Sequence, residues 1–188
     1  MLKIQPNHVA ILVRSVRKSA QYLSQFGFEI GEEEIWDGEG TREIYVERSR
    51  SNSLLLMEPI RPGAYQRALD KRGPGLHHLA IDVPDVLAFV DSLAGSGWLL
   101  HLSSLKSLSR VQTIYLARPG VPTLIEVSQR DSIEDRPRFV QRISIDWDAN
   151  ILRLMESVGL GDIVKSGQGD LTALVLGDHT VTLKDLLQ

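Results

Sequence analysis

The residues best placed for chemistry are two histidines 70 positions apart, His8 in "NHVAILV" and His78 in "LHHLAIDV". Each opens a run with apolar residues at alternate positions. Each is followed two places on, on the same strand face, by a small residue, Ala10 or Ala80. Such a pair offers two imidazoles to one divalent metal ion and leaves room beside them for a ligand. The chain has no cysteine, so a metal must be held by imidazole, carboxylate or amide groups, and no disulfide framework is available. His77 adjoins His78, but a regular strand turns neighbouring side chains to opposite faces. Only one of the two can serve the site unless the chain bulges between them.

The elements that must position these residues come from a duplication. "HVAILVRSVRKSAQYLSQFGFEI", from His8, aligns without a gap over "HLAIDVPDVLAFVDSLAGSGWLL", from His78. Each copy reads as a strand (Val9, Ile11, Val13 or Leu79, Ile81, Val83) and then an amphipathic helix. The helix faces are Val16, Ala20, Leu23 and Val86, Val90, Leu93, and Gly27 or Gly97 closes each helix. "TREIYVERSRSNSLLLMEPI" and "VQTIYLARPGVPTLIEVSQ" continue the copies as turn-separated strands, so each unit is βαβββ. The duplication selects His78 as the partner of His8 and leaves His77 to face away as a structural residue. After the charged linker "RDSIEDRPR" a third, degraded copy follows: "FVQRISIDWDANILRLMESVGLGDIV" gives strand, helix and Gly159. "TALVLGDHTVTL" then gives a hairpin around Gly177 and Asp178. With Gly159 set on Gly27, Val140 falls at the position of His8, so this unit brings no ligand there, and His179 reads as a solvated turn residue.

"NHVAILV", "LLLMEPI", "ALDKRGPGLHHLAIDVPDV" and "PTLIEV", spread over about residues 5 to 130, resemble the vicinal oxygen chelate superfamily. It includes glyoxalase I, methylmalonyl-CoA epimerase, extradiol dioxygenases and the bleomycin-resistance proteins, and the resemblance is strongest to the epimerase. It implies an α+β fold in which paired βαβββ modules, residues 1–130, form a curled mixed sheet around a cup. Residues 131–188 then form a partial third βαββ module. The resemblance implies metal ligands at His8, at the position of Leu55, at His78 and at Glu126. The separation of 55 and 126, 71 residues, is close to the 70 that relates the histidines.

Where glyoxalases carry Glu and the epimerase Gln, this chain has Leu55, which cannot ligate. Glu58 is three residues on and faces the other way in a regular strand, while Ser53 and Met57 share the face of Leu55 but are poor ligands for a hard cation. His8, His78 and Glu126 remain, a set suited to Fe, Zn, Mn, Co or Ni with open positions for substrate and water.

The resemblance further implies a metal-dependent epimerase, isomerase or lyase acting on an acyl-CoA or related carbonyl compound through a metal-stabilised enolate. Inverting a carbon requires a proton to leave one face and return to the other. Glu43 falls where the epimerase keeps an acid/base glutamate, and Glu126 stands across the cup as ligand or second base. Two alternatives share the fold. One is a non-haem iron dioxygenase, which the His/His/Glu set describes and whose hydroxyphenylpyruvate-type motif "GPGLHHLAI" resembles. The other is a non-catalytic small-molecule-binding protein that kept the cup.

A net charge of −3 with scattered basic residues gives no field for nucleic acid, and no apolar run is long enough to span a bilayer. The expectation is a soluble cytoplasmic protein with a small-molecule substrate, whose acidic group could meet Arg14, Arg61, Lys71, Arg72 or Lys106. An unpaired third unit leaves a sheet face uncovered unless it packs on the first two units or on a second chain, and a homodimer is expected on that ground.

Overall fold

The computed structural model describes residues 2–105, 113–167 and 172–187; Lys106 lies outside them. The first unit is β1 (Gln5–Leu12), α1 (Val16–Ser24), β2 (Ile30–Trp36), β3 (Thr41–Val46) and β4 (Ser53–Pro59). A connecting helix α2 (Ala64–Arg72) leads to the second: β5 (Gly75–Val83), α3 (Val86–Ser92), β6 (Leu99–Leu100), a short α4 (Leu102–Leu105), β7 (Thr113–Ala117) and β8 (Leu124–Gln129). All eight strands form one sheet in the order β2-β3-β4-β1-β5-β8-β7-β6. Each unit contributes four consecutive strands, and the first strands of the two units pair antiparallel at the centre.

The duplication is visible in the details of helix entry. Ser15 caps α1 by accepting from the Lys18 N–H, and Asp85 caps α3 by accepting from that of Ala88. Glu58 accepts from the Val16 N–H at 2.9 Å, and its counterpart Gln129 accepts from that of Val86 at 3.2 Å. Glu58 therefore serves the outer face, as the strand alternation requires. Gly27 and Gly97, at φ of +77° and +84°, turn the chain out of the two helices in a conformation other residues adopt at a cost.

Alternation divides the sheet into two faces. Val9, Ile11, Leu54, Leu56, Leu79, Ile81, Ile125 and Val127 face outward into a core shared with the helices, while Ala10, Leu12, Leu55 and Met57 face inward beneath Leu69 of α2. In a flat sheet β3 and β8 would stand four strand spacings apart, about 19 Å. Their side chains line one cavity, so the sheet curls into an open cup.

The third unit comprises β9 (Val140–Ile145), α5 (Ala149–Ser157), β10 (Val164–Ser166), β11 (Ala173–Leu176), β12 (His179–Thr182) and α6 (Leu183–Leu186). It has the strand, helix and hairpin content expected, but its order is β10-β9-β11-β12. The strand after its helix lies parallel beside β9. In the first two units that strand is instead the far edge of the unit. Val140, at the His8 position, is buried in the core.

This unit packs on the outer face of the first two. Phe139 meets Phe28 edge-on at 4.9 Å, the Ser19 hydroxyl donates to the Leu186 carbonyl, and the Trp98 indole donates to Ser157. The face that a second chain was expected to cover is thus covered within the chain. His179 is exposed beside the turn, as expected, and its ring rests against Phe26 and Phe28 at 5.0 and 5.5 Å. Among the described residues no helix is long and apolar enough to cross a membrane.

Candidate active site

Two β-bulges aim the histidines. Pro6 pairs with Ile81 and His8 with Ala80, so Asn7 is the extra residue of β1; Ala10 pairs with His78 and Ile11 with Leu76, so His77 is the extra residue of β5. These positions are again 70 apart. The bulge overturns the expectation that His77 faces away: its Nδ1 lies 3.0 Å from His78 Nδ1, and its ring packs 4.9 Å from that of Tyr65. Asn7 does the same service in the first unit, with Oδ1 2.7 Å from His8 Nδ1.

These contacts set the protonation of the rings. Buried Asp82 accepts from Asn7 Nδ2 at 2.7 Å, which turns Asn7 Oδ1 toward His8. An amide oxygen only accepts, so His8 carries its proton on Nδ1 and presents a lone pair at Nε2. That atom lies 2.9 Å from His78 Nε2, which in turn lies 3.4 Å from Glu126 Oε2. Ligand atoms of His8, His78 and Glu126 all fall within 4.8 Å of one another.

Separations of 2.9 and 3.4 Å are those of neighbouring donors about 2.0–2.2 Å from a shared first-row cation. Burial, helped by the Arg130 charge, lowers the His8 pKa to about 3, and burial beside two other imidazoles takes that of His78 well below its ordinary value. Both rings are therefore neutral at physiological pH, the form that ligates. The donor set fits a divalent metal ion.

Strand register tests the proposed fourth position. In the parallel β1–β4 pair Leu55 stands opposite Ala10, and in the parallel β5–β8 pair Glu126 stands opposite Ala80. Leu55 and Glu126 are thus equivalent, and Leu55 gives the site an apolar wall in place of a ligand.

Glu43 reaches the same cavity from β3. It is buried, and the Thr41 hydroxyl donates to its Oε1 at 2.8 Å. Burial pushes its pKa up to about 7; the Thr41 bond opposes this, and the charges of Glu39, Glu126 and Glu34 add to it. Burial likewise pushes Glu126 up to about 7, opposed by a hydrogen bond from Tyr115, its cross-strand partner. Two carboxyls poised near neutrality therefore share a cavity of about 330 Å³ with the two histidines.

Tyr45 and Tyr115 wall the cavity, with Trp36, Glu39, Met57 and Thr113. The tyrosines were legible as another pair 70 apart in "IYV" and "IYL", whereas nothing in the sequence marks Glu39 or Asp82. Among the described residues, none of Arg14, Arg61, Lys71 or Arg72 lines this cavity.

Residues 7–107 match the glyoxalase/bleomycin resistance protein/dioxygenase superfamily. The chain belongs to that superfamily. The matched span contains His8, Glu43, Leu55 and His78 and ends before the strand that carries Glu126. A superfamily relative, the ethylmalonyl-CoA/methylmalonyl-CoA epimerase of Cereibacter sphaeroides, is 30% identical over 94 residues, 48% of this chain and 69% of the relative.

Among solved structures of the superfamily, the methylmalonyl-CoA epimerase of Mycobacterium tuberculosis superposes with a TM-score of 0.53 at 26% identity, over 66% of this chain and 87% of that one. A Streptomyces coelicolor methylmalonyl-CoA epimerase in complex with 2-nitronate-propionyl-CoA has the same fold, with a TM-score of 0.55 at 23% identity, over 70% and 97% of the two chains.

Proposed function

We propose that the protein is a metal-dependent epimerase of an acyl-CoA or related carbonyl compound with an acidic α-proton. The observation that carries this reading is the presence of two carboxyls, Glu43 and Glu126, on strands that meet across the histidine-lined cavity, with Glu43 held by burial at a pKa of about 7. His8, His78 and Glu126 would hold the metal ion, and the chemistry it would supply is Lewis acidity toward the carbonyl oxygen.

Glu43 takes that proton from one face of the carbon. A base with a pKa near the working pH both accepts and returns a proton readily, and the Thr41 hydroxyl holds the acceptor oxygen in place. Glu126 turns one oxygen toward the histidines, and it serves either as a ligand to the metal or as the proton carrier for the opposite face.

Exchange of the α-hydrogen of methylmalonyl-CoA with solvent deuterium, followed by NMR, tests the reading. The metal-loaded protein exchanges it, Glu43→Gln loses about 10²–10⁴-fold in rate, and His78→Ala loses bound metal together with exchange. Absence of exchange by protein carrying a full complement of metal would refute the epimerase.

The three-donor set supports one second reading, a non-haem iron dioxygenase, because among the described residues Leu55 leaves two imidazoles and one carboxylate as the ligands in register. Oxygen consumption by the iron-loaded protein in the absence of α-exchange favours it. Metal-free protein that resists reconstitution favours a binding protein.

A further inference from the structure

Two further cavities flank the central one, and the duplication relates them. One is bordered by Asn7, Tyr45 and Ser53, the other by His77, Tyr115 and Leu124, which are their counterparts in the second unit. Related by origin, the flanks have diverged in chemistry. The second is apolar, faced by Ala64, Ala68, Val121 and Leu124. The first, of about 380 Å³, is faced by four arginines, Arg48, Arg50, Arg130 and Arg136, against two acids, Asp82 and Glu134. Guanidinium groups thus outnumber carboxylates two to one on the wall of this cleft, and the acids that balance Arg48 and Arg50, Glu34 and Glu47, stand outside it.

The divergence is specific. The counterpart of Arg48 in the second unit, Arg118, is spent on the Ser96 carbonyl, while that of Arg50 is Gly120. Arg130 and Arg136 come from the linker to the third unit, which closes this end of the cup. Asp82 accepts from both Arg130 Nε, at 3.3 Å, and Asn7 Nδ2, so its charge is already engaged. Arg48 lies over the Tyr45 ring at 4.6 Å and pairs with Glu34, and Arg50 pairs with Glu47 at 3.2 Å. Each contact steadies a guanidinium and uses only part of its five N–H donors. Planar forks converging on one cleft are suited to phosphate or carboxylate oxygens.

We propose that the arginine cleft behind Tyr45 and Asn7 is an oxyanion site, taking a phosphate or carboxylate group of a small ligand. It adjoins the central cavity at Tyr45, and through Arg130–Asp82–Asn7–His8 its hydrogen bonds run to a candidate metal ligand. The proposal rests on the epimerase reading only in the choice of competitors below.

Titration of metal-free protein with inorganic pyrophosphate, followed by calorimetry, tests it. Saturable binding is expected, weakened about tenfold or more in Arg130→Gln/Arg136→Gln and unchanged in His78→Ala. Because Arg130 pairs with buried Asp82, the exposed pair Arg50→Gln/Arg136→Gln is measured as well, and the same weakening is expected. No saturable binding, binding untouched by both double variants, or binding lost in His78→Ala overturns the site.

Competition identifies the source of the oxyanion. Displacement of pyrophosphate by coenzyme A assigns the cleft to carrier phosphates, and displacement by methylmalonate alone assigns it to an acyl carboxylate. Pyrophosphate binding that neither displaces supports the oxyanion site while counting against the thioester reading.

Discussion

Glu43 gives the sharpest prediction, because its proposed task and its cost to the fold have one cause. A carboxyl with an ordinary pKa of 4.5 is held at about 7, chiefly by burial. At about 1.4 kcal/mol per pH unit, that difference makes the ionised form about 3 kcal/mol less favourable in the folded protein than in the unfolded chain. The sign follows from linkage: below pH 4.5 Glu43 is protonated in both states and there is no penalty. The penalty grows as the pH rises through the interval to 7 and is complete above it.

Glu43→Gln keeps the volume and keeps an oxygen for the Thr41 hydroxyl, but it never ionises. In metal-free protein the variant is expected to match wild type in stability near pH 4.5 and to exceed it by about 2–3 kcal/mol at pH 8–9, while losing α-hydrogen exchange. Urea denaturation at a series of pH values measures the difference. A stability gain independent of pH would refute burial of the charge as its origin, and a loss of stability above pH 7 would refute the raised pKa itself.

Asn7→Ala, which frees the His8 ring without touching a ligand, is expected to cost about 10–100-fold in metal affinity, read by competition with a chelating dye. Leu55→Glu puts a carboxylate at the position equivalent to Glu126. Metal-free protein should lose about 2–4 kcal/mol from an unpaired buried charge, and added metal should raise its melting temperature more than that of wild type. Phe139→Ala removes a fully buried ring at the seam of the third unit and is expected to cost about 3–5 kcal/mol in chemical denaturation.

The frame of the site was legible because it is written twice. One offset of about 70 residues relates the histidines, the tyrosines, the helix caps Ser15 and Asp85, and Leu55 with Glu126, and strand register agrees at each position. The bulge at His77 was not legible, because one extra residue in a ladder leaves the apolar alternation on either side unchanged; only the pairing with Leu76 and His78 reveals it. Likewise, the apolar pattern of residues 139–187 is the same whether the unit covers its own chain or a second copy. Helix α2 carries one fully buried side chain, Leu69, too few to imprint a helical period. Arg130 and Arg136 read as linker charges because the cleft they face is made by residues distant in sequence.

Duplication supplies a symmetric cup, but the proposed chemistry sits where the copies differ. The counterpart of Glu43 is Thr113 and that of Glu126 is Leu55, so each carboxyl stands where its own mate is uncharged. Strict symmetry would crowd four carboxyls around two neutral imidazoles in about 330 Å³. The charge of Glu126 already adds to the raised pKa of Glu43. Further like charges would push both higher, keep them protonated at neutral pH and remove the base. An uncharged residue in place of one acid in each unit leaves Glu126 beside the histidines and Glu43 on the opposing wall near the pKa that proton transfer requires. The same divergence leaves one flank of the cup faced by four arginines and the other mainly by apolar side chains with Arg72 at its border.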